Sequence, residues 1–311
     1  METSLVTGGA GFLGSWLCED LLKKEHKVIC IDNLITGRTS NIQNFRKNKN
    51  FLFFKHDIEK PIEVKGNIDY IFHFASPASP KDFTRIPIEI MAVNSIGTIN
   101  TLNLSREKEA KLILASSSEI YGDPKEHPQK ETYYGNVSSI GPRSCYDESK
   151  RFAEAIVMSY YRLYNLDSVI MRIFNTYGPR MRKDDGRVIP SFISNSLKNK
   201  PLTIFGDGNQ TRSFCYVTDL ISGIEKIAFS KYSGEVFNLG NPDEKRIREV
   251  AEIVLRLTGS KSKVLYKKAM PDDPIKRKPD IGKVKKMIGW EPRINFEEGL
   301  KEIVEWFKYR T

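Results

Sequence analysis

Short apolar runs alternate with amphipathic stretches along the first half of the chain. Ser4-Leu5-Val6-Thr7 predicts a strand, followed by a glycine-rich turn and a helix running to about Lys24. Further strands are expected at Lys27–Ile31, Phe51–Lys55, Tyr70–Phe74, Lys111–Ala115 and Ser168–Ile173, with long helices at Ile88–Lys108 and Tyr146–Tyr164. A strand buried on both faces reads as an unbroken apolar run, so these runs point to a parallel sheet covered by helices on each side. After Asn175 the pattern changes. Helices are expected around Ile189–Asn199, Val217–Phe229 and Ile247–Thr258, separated by short apolar runs and a turn at Gly206-Asp207-Gly208-Asn209.

The first turn gives that sheet a purpose. In Gly8-Gly9-Ala10-Gly11-Phe12-Leu13-Gly14, between strand and helix, glycines let the backbone turn tightly and approach a pyrophosphate at the positive end of a helix. The second strand ends at Asp32, 18 residues past Gly14. A carboxylate there accepts hydrogen bonds from a ribose 2′-hydroxyl and repels a 2′-phosphate, which selects NAD over NADP. Arg38 lies close by in sequence and bears on that preference. The expected fold class is therefore α/β, a Rossmann-type doubly wound parallel sheet with a smaller C-terminal α/β substrate domain. Residues 1–174 would bind NAD and residues 175–311 the substrate, with room for the chain to cross back.

Two later segments suggest the chemistry. Tyr146 and Lys150 stand at i and i+4 on one helix face, where an ammonium favours the phenolate of a neighbouring phenol. Ser116-Ser117-Ser118-Glu119 follows an apolar strand and offers a hydroxyl, Ser117, and a carboxylate, Glu119. A phenol lowered toward working pH can take the proton from a sugar hydroxyl as hydride leaves for a nicotinamide, with Ser117 holding the same oxygen.

Composition narrows the alternatives. Hydrophobic residues make up 40% and charged residues 28%, as in an ordinary globular protein. The net charge of +10 comes largely from scattered lysines not interleaved with aromatics, a pattern of solvated surface rather than of nucleic-acid binding. Cys18, Cys30, Cys145 and Cys215 form no C-x-x-C pair and do not cluster with the four histidines, so no metal site and no disulfide framework is expected. No apolar stretch approaches a bilayer-spanning length, and a strand-like run begins by Thr3, so a cytoplasmic protein without membrane attachment is expected.

The G-x-x-G-x-x-G spacing together with Tyr-x-x-x-Lys resembles the extended short-chain dehydrogenase/reductase family over nearly the full length. The resemblance implies that Gly8, Gly11, Phe12, Leu13 and Gly14 hold the pyrophosphate, while Asp32, Asn33, Thr36 and Gly37 hold the adenosine ribose. It places Asp57 and Ile58 at the adenine. Phe74, Ala75 and Ser76 line the cofactor, Asn94 supports it, and Tyr146 and Lys150 reach the nicotinamide end. It also implies a homodimer built on the helices around Ile88–Lys108 and Tyr146–Tyr164.

Within the family, Ser117-Ser118-Glu119 most resembles the UDP-glucuronate decarboxylases, as do Ile140–Glu148, Arg172–Met181, Asp184–Val188 and Asp272–Asp280. That subgroup implies a catalytic set of Ser117, Glu119, Tyr146 and Lys150, with Arg277 near the sugar carboxylate. Arg212 suits a diphosphate, Asn175 offers an amide to the same group, and Val188 and Phe205 can pack beside uracil. The implied reaction is NAD-dependent conversion of UDP-glucuronate to UDP-xylose through a 4-keto intermediate, with NAD regenerated. The competing expectations are a UDP-glucose 4-epimerase, a dTDP-glucose 4,6-dehydratase, or a non-catalytic NAD-binding regulator. Ser118 is a poor general acid where a dehydratase would need one.

Overall fold

The computed structural model describes residues 1–269, 274 and 276–309. Asp272, Asp273 and Ile275 of the segment Asp272–Asp280 lie outside the described residues. Six strands follow the expected order: β1 (Thr3–Thr7), β2 (Lys27–Asp32), β3 (Phe51–Lys55), β4 (Tyr70–His73), β5 (Lys111–Ser117) and β6 (Ser168–Ile173). With Glu235–Leu239 they form one seven-stranded sheet, in the order Glu235–Leu239, β6, β5, β4, β1, β2, β3. Every neighbouring pair is parallel; Leu5 lies opposite Ile29 on one side and Ile71 on the other.

Alternation along β1 sends Val6 and Leu5 to opposite faces. Val6 joins a cluster with Leu17 and Leu21 of α1 (Phe12–Lys23), and Leu5 joins one with Leu102, Ala153 and Val157. The last three come from α3 (Pro87–Lys108) and α4 (Ser144–Tyr164); a short α2 (Pro80–Arg85) precedes them. Strands β1 and β4 are neighbours, and the connection after β1 runs toward β2 while that after β4 runs toward β5, so a crevice opens between their carboxyl ends.

Past residue 174 the chain does cross back. The helix Val217–Ala228 packs on α1, and Glu235–Leu239 pairs with β6, so residues 217–239 belong to the large sheet's layers. The remaining second-half elements make the smaller lobe. Leu202–Phe205 pairs with Val264–Lys267, and Thr211–Ser213 lies between Glu244–Arg246 and Lys276–Arg277. Register across the last pair sets Arg277 beside Arg212.

Candidate active site

A cleft of about 920 Å³ runs over the carboxyl ends of β1, β2, β4 and β5 and against the smaller lobe. At its floor the glycine turn is built by close approach. Gly8 has φ +70°, and a Cβ on it would sit 2.7 Å from the Ala75 backbone. A Cβ on Gly14 would sit 2.2 Å from the Gly8 carbonyl oxygen. Glycine is thus required by backbone packing within the turn, which brings its amides to the N-terminus of α1, where a phosphate can bind. Gly11, Phe12 and Leu13 line the same stretch.

The Asp32 carboxylate at the end of β2 is buried and fixed by two backbone donors, Ala10 N at 3.0 Å and Leu34 N at 2.8 Å. Burial raises its pKa, and these two bonds pull the other way. Gly37 packs on it: a Cβ there would lie 2.6 Å from Oδ1. Arg38 turns outward to Asp184, at 3.1 Å, instead of facing Asp32. Asn33 donates to Asp57 at 3.1 Å, and Thr36, Asp57 and Ile58 line the same end of the cleft. Phe74, Ala75 and Ser76 form the wall after β4, where the Phe74 and Ala75 amides donate to Thr7 Oγ1. The glycine cradle and the fixed Asp32 carboxylate fit an adenine dinucleotide lacking a 2′-phosphate.

Ser117 closes β5, and its hydroxyl accepts from the Glu119 amide at 3.2 Å. Tyr146, in the first turn of α4, is buried and stacks on Phe83 with ring centroids 5.0 Å apart. Lys150 donates to Ala115 O at 2.9 Å and lies 5.8 Å from the Tyr146 ring centroid. The expected lowering of the phenol rests on Lys150 together with a positive nicotinamide ring, and the side chains by themselves hold the phenol up. Burial pushes Tyr146 up to about 12 against a hydrogen bond with Ser117, and the Glu119 charge adds to the rise. Burial also drives Lys150 down to about 7. The ammonium is stripped of water without a close anion, so it is weakened before it can act on the phenol. Asn94 donates to Ser149 at 3.1 Å and thereby ties α3 to the helix carrying both residues.

Glu119 is the centre of an ion-pair cluster. Arg143 Nη2 approaches Oε2 at 2.5 Å, and Arg277 Nη1 bonds Oε1. Burial works to raise its pKa, but the two guanidiniums prevail and hold it at about 2. Its two arginine partners thus favour Glu119 as a carboxylate. Arg277 is almost fully buried and also donates to Gly122 O at 2.8 Å, so it is no surface charge.

Asn175, Val188, Phe205 and Arg212 line the cleft from the smaller lobe, with Arg212 donating to Thr211 O at 2.8 Å. All the expected site residues thus meet around one cleft, Gly37 standing just behind Asp32. Sequence reading assigned no role to Arg143, to Phe83, or to Arg187, which binds Asp185 through Nε at 2.5 Å and Nη2 at 2.8 Å. Arg143 stands three residues before Tyr146, but its partner Glu119 is 24 positions away, and no local pattern announces such a pair.

Among the described residues no group of histidine, cysteine and acidic side chains could hold a metal ion, and the four cysteines are free and buried. Cys145 is a packed thiol bonded to Phe83 O at 3.6 Å.

Fold, cradle and Tyr–Lys pair define an extended short-chain dehydrogenase/reductase with a dinucleotide cleft. The chain belongs to the GDP-mannose 4,6 dehydratase family, whose model matches residues 5–303. It is 46% identical to UDP-glucuronic acid decarboxylase 4 of Arabidopsis thaliana, over 99% of this chain and 69% of that protein. Identity to UDP-glucuronic acid decarboxylase 1 of Xenopus tropicalis is 44%, over 98% of this chain and 72% of that one. Among solved structures, the dTDP-glucose 4,6-dehydratase DesIV of Streptomyces venezuelae, with NAD bound, superposes with a TM-score of 0.91 at 27% identity, covering 99% of this chain and 97% of that chain.

Proposed function

We propose that this protein is a UDP-glucuronate decarboxylase that uses NAD and makes UDP-xylose and carbon dioxide. One observation carries the reading: among the described residues Arg143 and Arg277 share a single close carboxylate, Glu119, in the cleft that Ser117 and Tyr146 also line, which leaves an excess of positive charge there. A substrate bearing a carboxylate suits that charge, and a neutral hexose does not. The identity to curated decarboxylases over nearly the whole chain supports the same substrate.

Bound NAD supplies an acceptor and donor of hydride at C4 of the sugar. The glycine turn and Asp32 would hold it, Lys150 would be positioned to bond its nicotinamide ribose, and its positively charged ring would supply charge that favours the Tyr146 phenolate. Tyr146 takes the proton of the C4 hydroxyl, and Ser117 hydrogen-bonds the same oxygen. The C4 ketone makes the substrate a β-keto acid, so the electrons of the breaking C5–carboxyl bond pass into the carbonyl as an enolate. Tyr146 and Ser117 stabilise that oxyanion. Arg277 orients the leaving carboxylate, and Glu119 holds both guanidiniums in place as a fixed anion. Arg212 and Asn175 bind the diphosphate, with Val188 and Phe205 beside the base.

Ile88, Met91 and Ile96 on α3 and Phe152 and Leu163 on α4 are exposed, an apolar surface that fits a homodimer. No helix among the described residues is long and apolar enough to cross a membrane, and the buried free cysteines suit the cytoplasm. The test is incubation with UDP-glucuronate, UDP-glucose and dTDP-glucose in parallel. Carbon dioxide and UDP-xylose from the first alone support the reading; turnover of either neutral sugar with UDP-glucuronate untouched overturns it.

A further inference from the structure

Among the described residues, two guanidiniums and two carboxyl groups meet at the sugar end of the cleft, and the two carboxyl groups are matched unevenly. Glu119 takes both close contacts, from Arg143 and Arg277. Asp147, in the first turn of α4, is buried with only Arg143 Nε at 3.9 Å, and its Oδ1 has no hydrogen-bond partner. Arg277 Nε is buried without a partner as well. The charged groups facing Asp147 are Glu119 on the turn after β5, Arg143 at the start of α4, Arg277 from the strand Lys276–Arg277, and Glu148 on α4 itself. Cys145 and Tyr146 lie beside it as neutral groups that its charge holds up. Burial, with the Glu119 charge, pushes the Asp147 carboxyl up to about 7, whereas Glu119 stays ionised.

A carboxylate on the incoming sugar adds a third anion to the same two cations. Three buried carboxylates do not all stay ionised there; the one with the weakest contacts gives way by binding a proton. We propose that Asp147 takes up a proton when a carboxylate-bearing nucleotide sugar enters the cleft, and releases it when that carboxyl group departs as carbon dioxide. The balance is complete. The C5–carboxyl bond breaks, its electron pair enters the C4 ketone as an enolate, and C5 then gains one proton. Asp147 releases its proton at the same stage, and solvent supplies whatever part of the one proton consumed per turnover was not taken up on binding. Asp147 acts through Arg143 and Glu119 and not on the sugar, which makes it a positioning residue. The inference rests on the UDP-glucuronate reading.

The experiment is calorimetric titration of Tyr146→Phe holoenzyme, which binds without turnover, in buffers of different ionisation enthalpy. UDP-glucuronate is expected to draw in a fraction of a proton per site at pH 7 and a larger fraction at pH 8. UDP-glucose is expected to draw in none, and Asp147→Asn in the same background abolishes the uptake while UDP-glucuronate still binds. Equal uptake with both sugars, or uptake that survives Asp147→Asn, overturns the proposal. Failure of UDP-glucuronate to bind sinks the functional reading, whereas binding without proton uptake sinks this inference alone.

Discussion

The two ends of the cleft are built by different means. The adenosine end is made of backbone: a turn that tolerates no Cβ at Gly8 or Gly14, and a carboxylate, Asp32, fixed by two amides within the first 34 residues. The sugar end is made of side-chain charge gathered from afar, with Glu119, Arg143 and Arg277 coming from three separate segments. The first kind of site is stiff and common to many substrates. The second is where one nucleotide sugar is told from another, because its charges are few, buried and interdependent.

Substitutions should separate the two ends. The largest effect belongs to Tyr146→Phe, which lowers the rate of UDP-xylose formation by about 10²–10⁴ while NAD remains bound, seen by following product and nucleotide content together. Next comes Arg277→Ala. It leaves the buried Glu119 carboxylate with Arg143 as its remaining close partner and costs about 1.5–3 kcal/mol of stability in urea unfolding, with a greater loss of affinity for UDP-glucuronate than for UDP-glucose. An unchanged unfolding midpoint would place Arg277 outside the cluster.

Acid probes the same carboxylate. The Glu119 pKa is held at about 2, below its ordinary 4.5, so its contribution is fully present above pH 4.5 and fades as pH falls toward 2. The shift corresponds to about 3 kcal/mol, and Glu119→Gln should flatten the fall in unfolding free energy across that window. The smallest of these effects is at the other end. Gly14→Ala forces a methyl against the Gly8 carbonyl and costs about 1–3 kcal/mol, read as a lower melting temperature and loss of NAD, with the sugar-end ion pairs intact.

The same contrast decides what the sequence alone reveals. The strand runs, the glycine turn and the Tyr146–Lys150 spacing are local patterns, and each is legible within a few residues. Seven-stranded order is partly legible: β1 to β6 follow the alternation, but the return of Glu235–Leu239 to the sheet depends on packing of Val217–Ala228 against α1. Arg277 was found through a motif, whereas its bond to Glu119 spans 158 positions. Arg143 lies in a segment, Ile140–Glu148, that resembles the decarboxylases, but its role is not legible there because its partner Glu119 is 24 positions away. The electrostatics were least legible. A Lys four residues after a Tyr promises a lowered phenol, yet burial of both groups governs until a positive ring joins them.

The proposed mechanism turns on one event, a ketone made and unmade at C4 next to the bond that breaks. UDP-glucuronate carrying deuterium at C4, turned over in ordinary water, tests it most directly. The account predicts UDP-xylose that keeps the deuterium on C4, gains one solvent hydrogen at C5, and appears with one equivalent of carbon dioxide. Deuterium lost from C4 to solvent, or carbon dioxide released without a C4 hydrogen ever leaving, would contradict it.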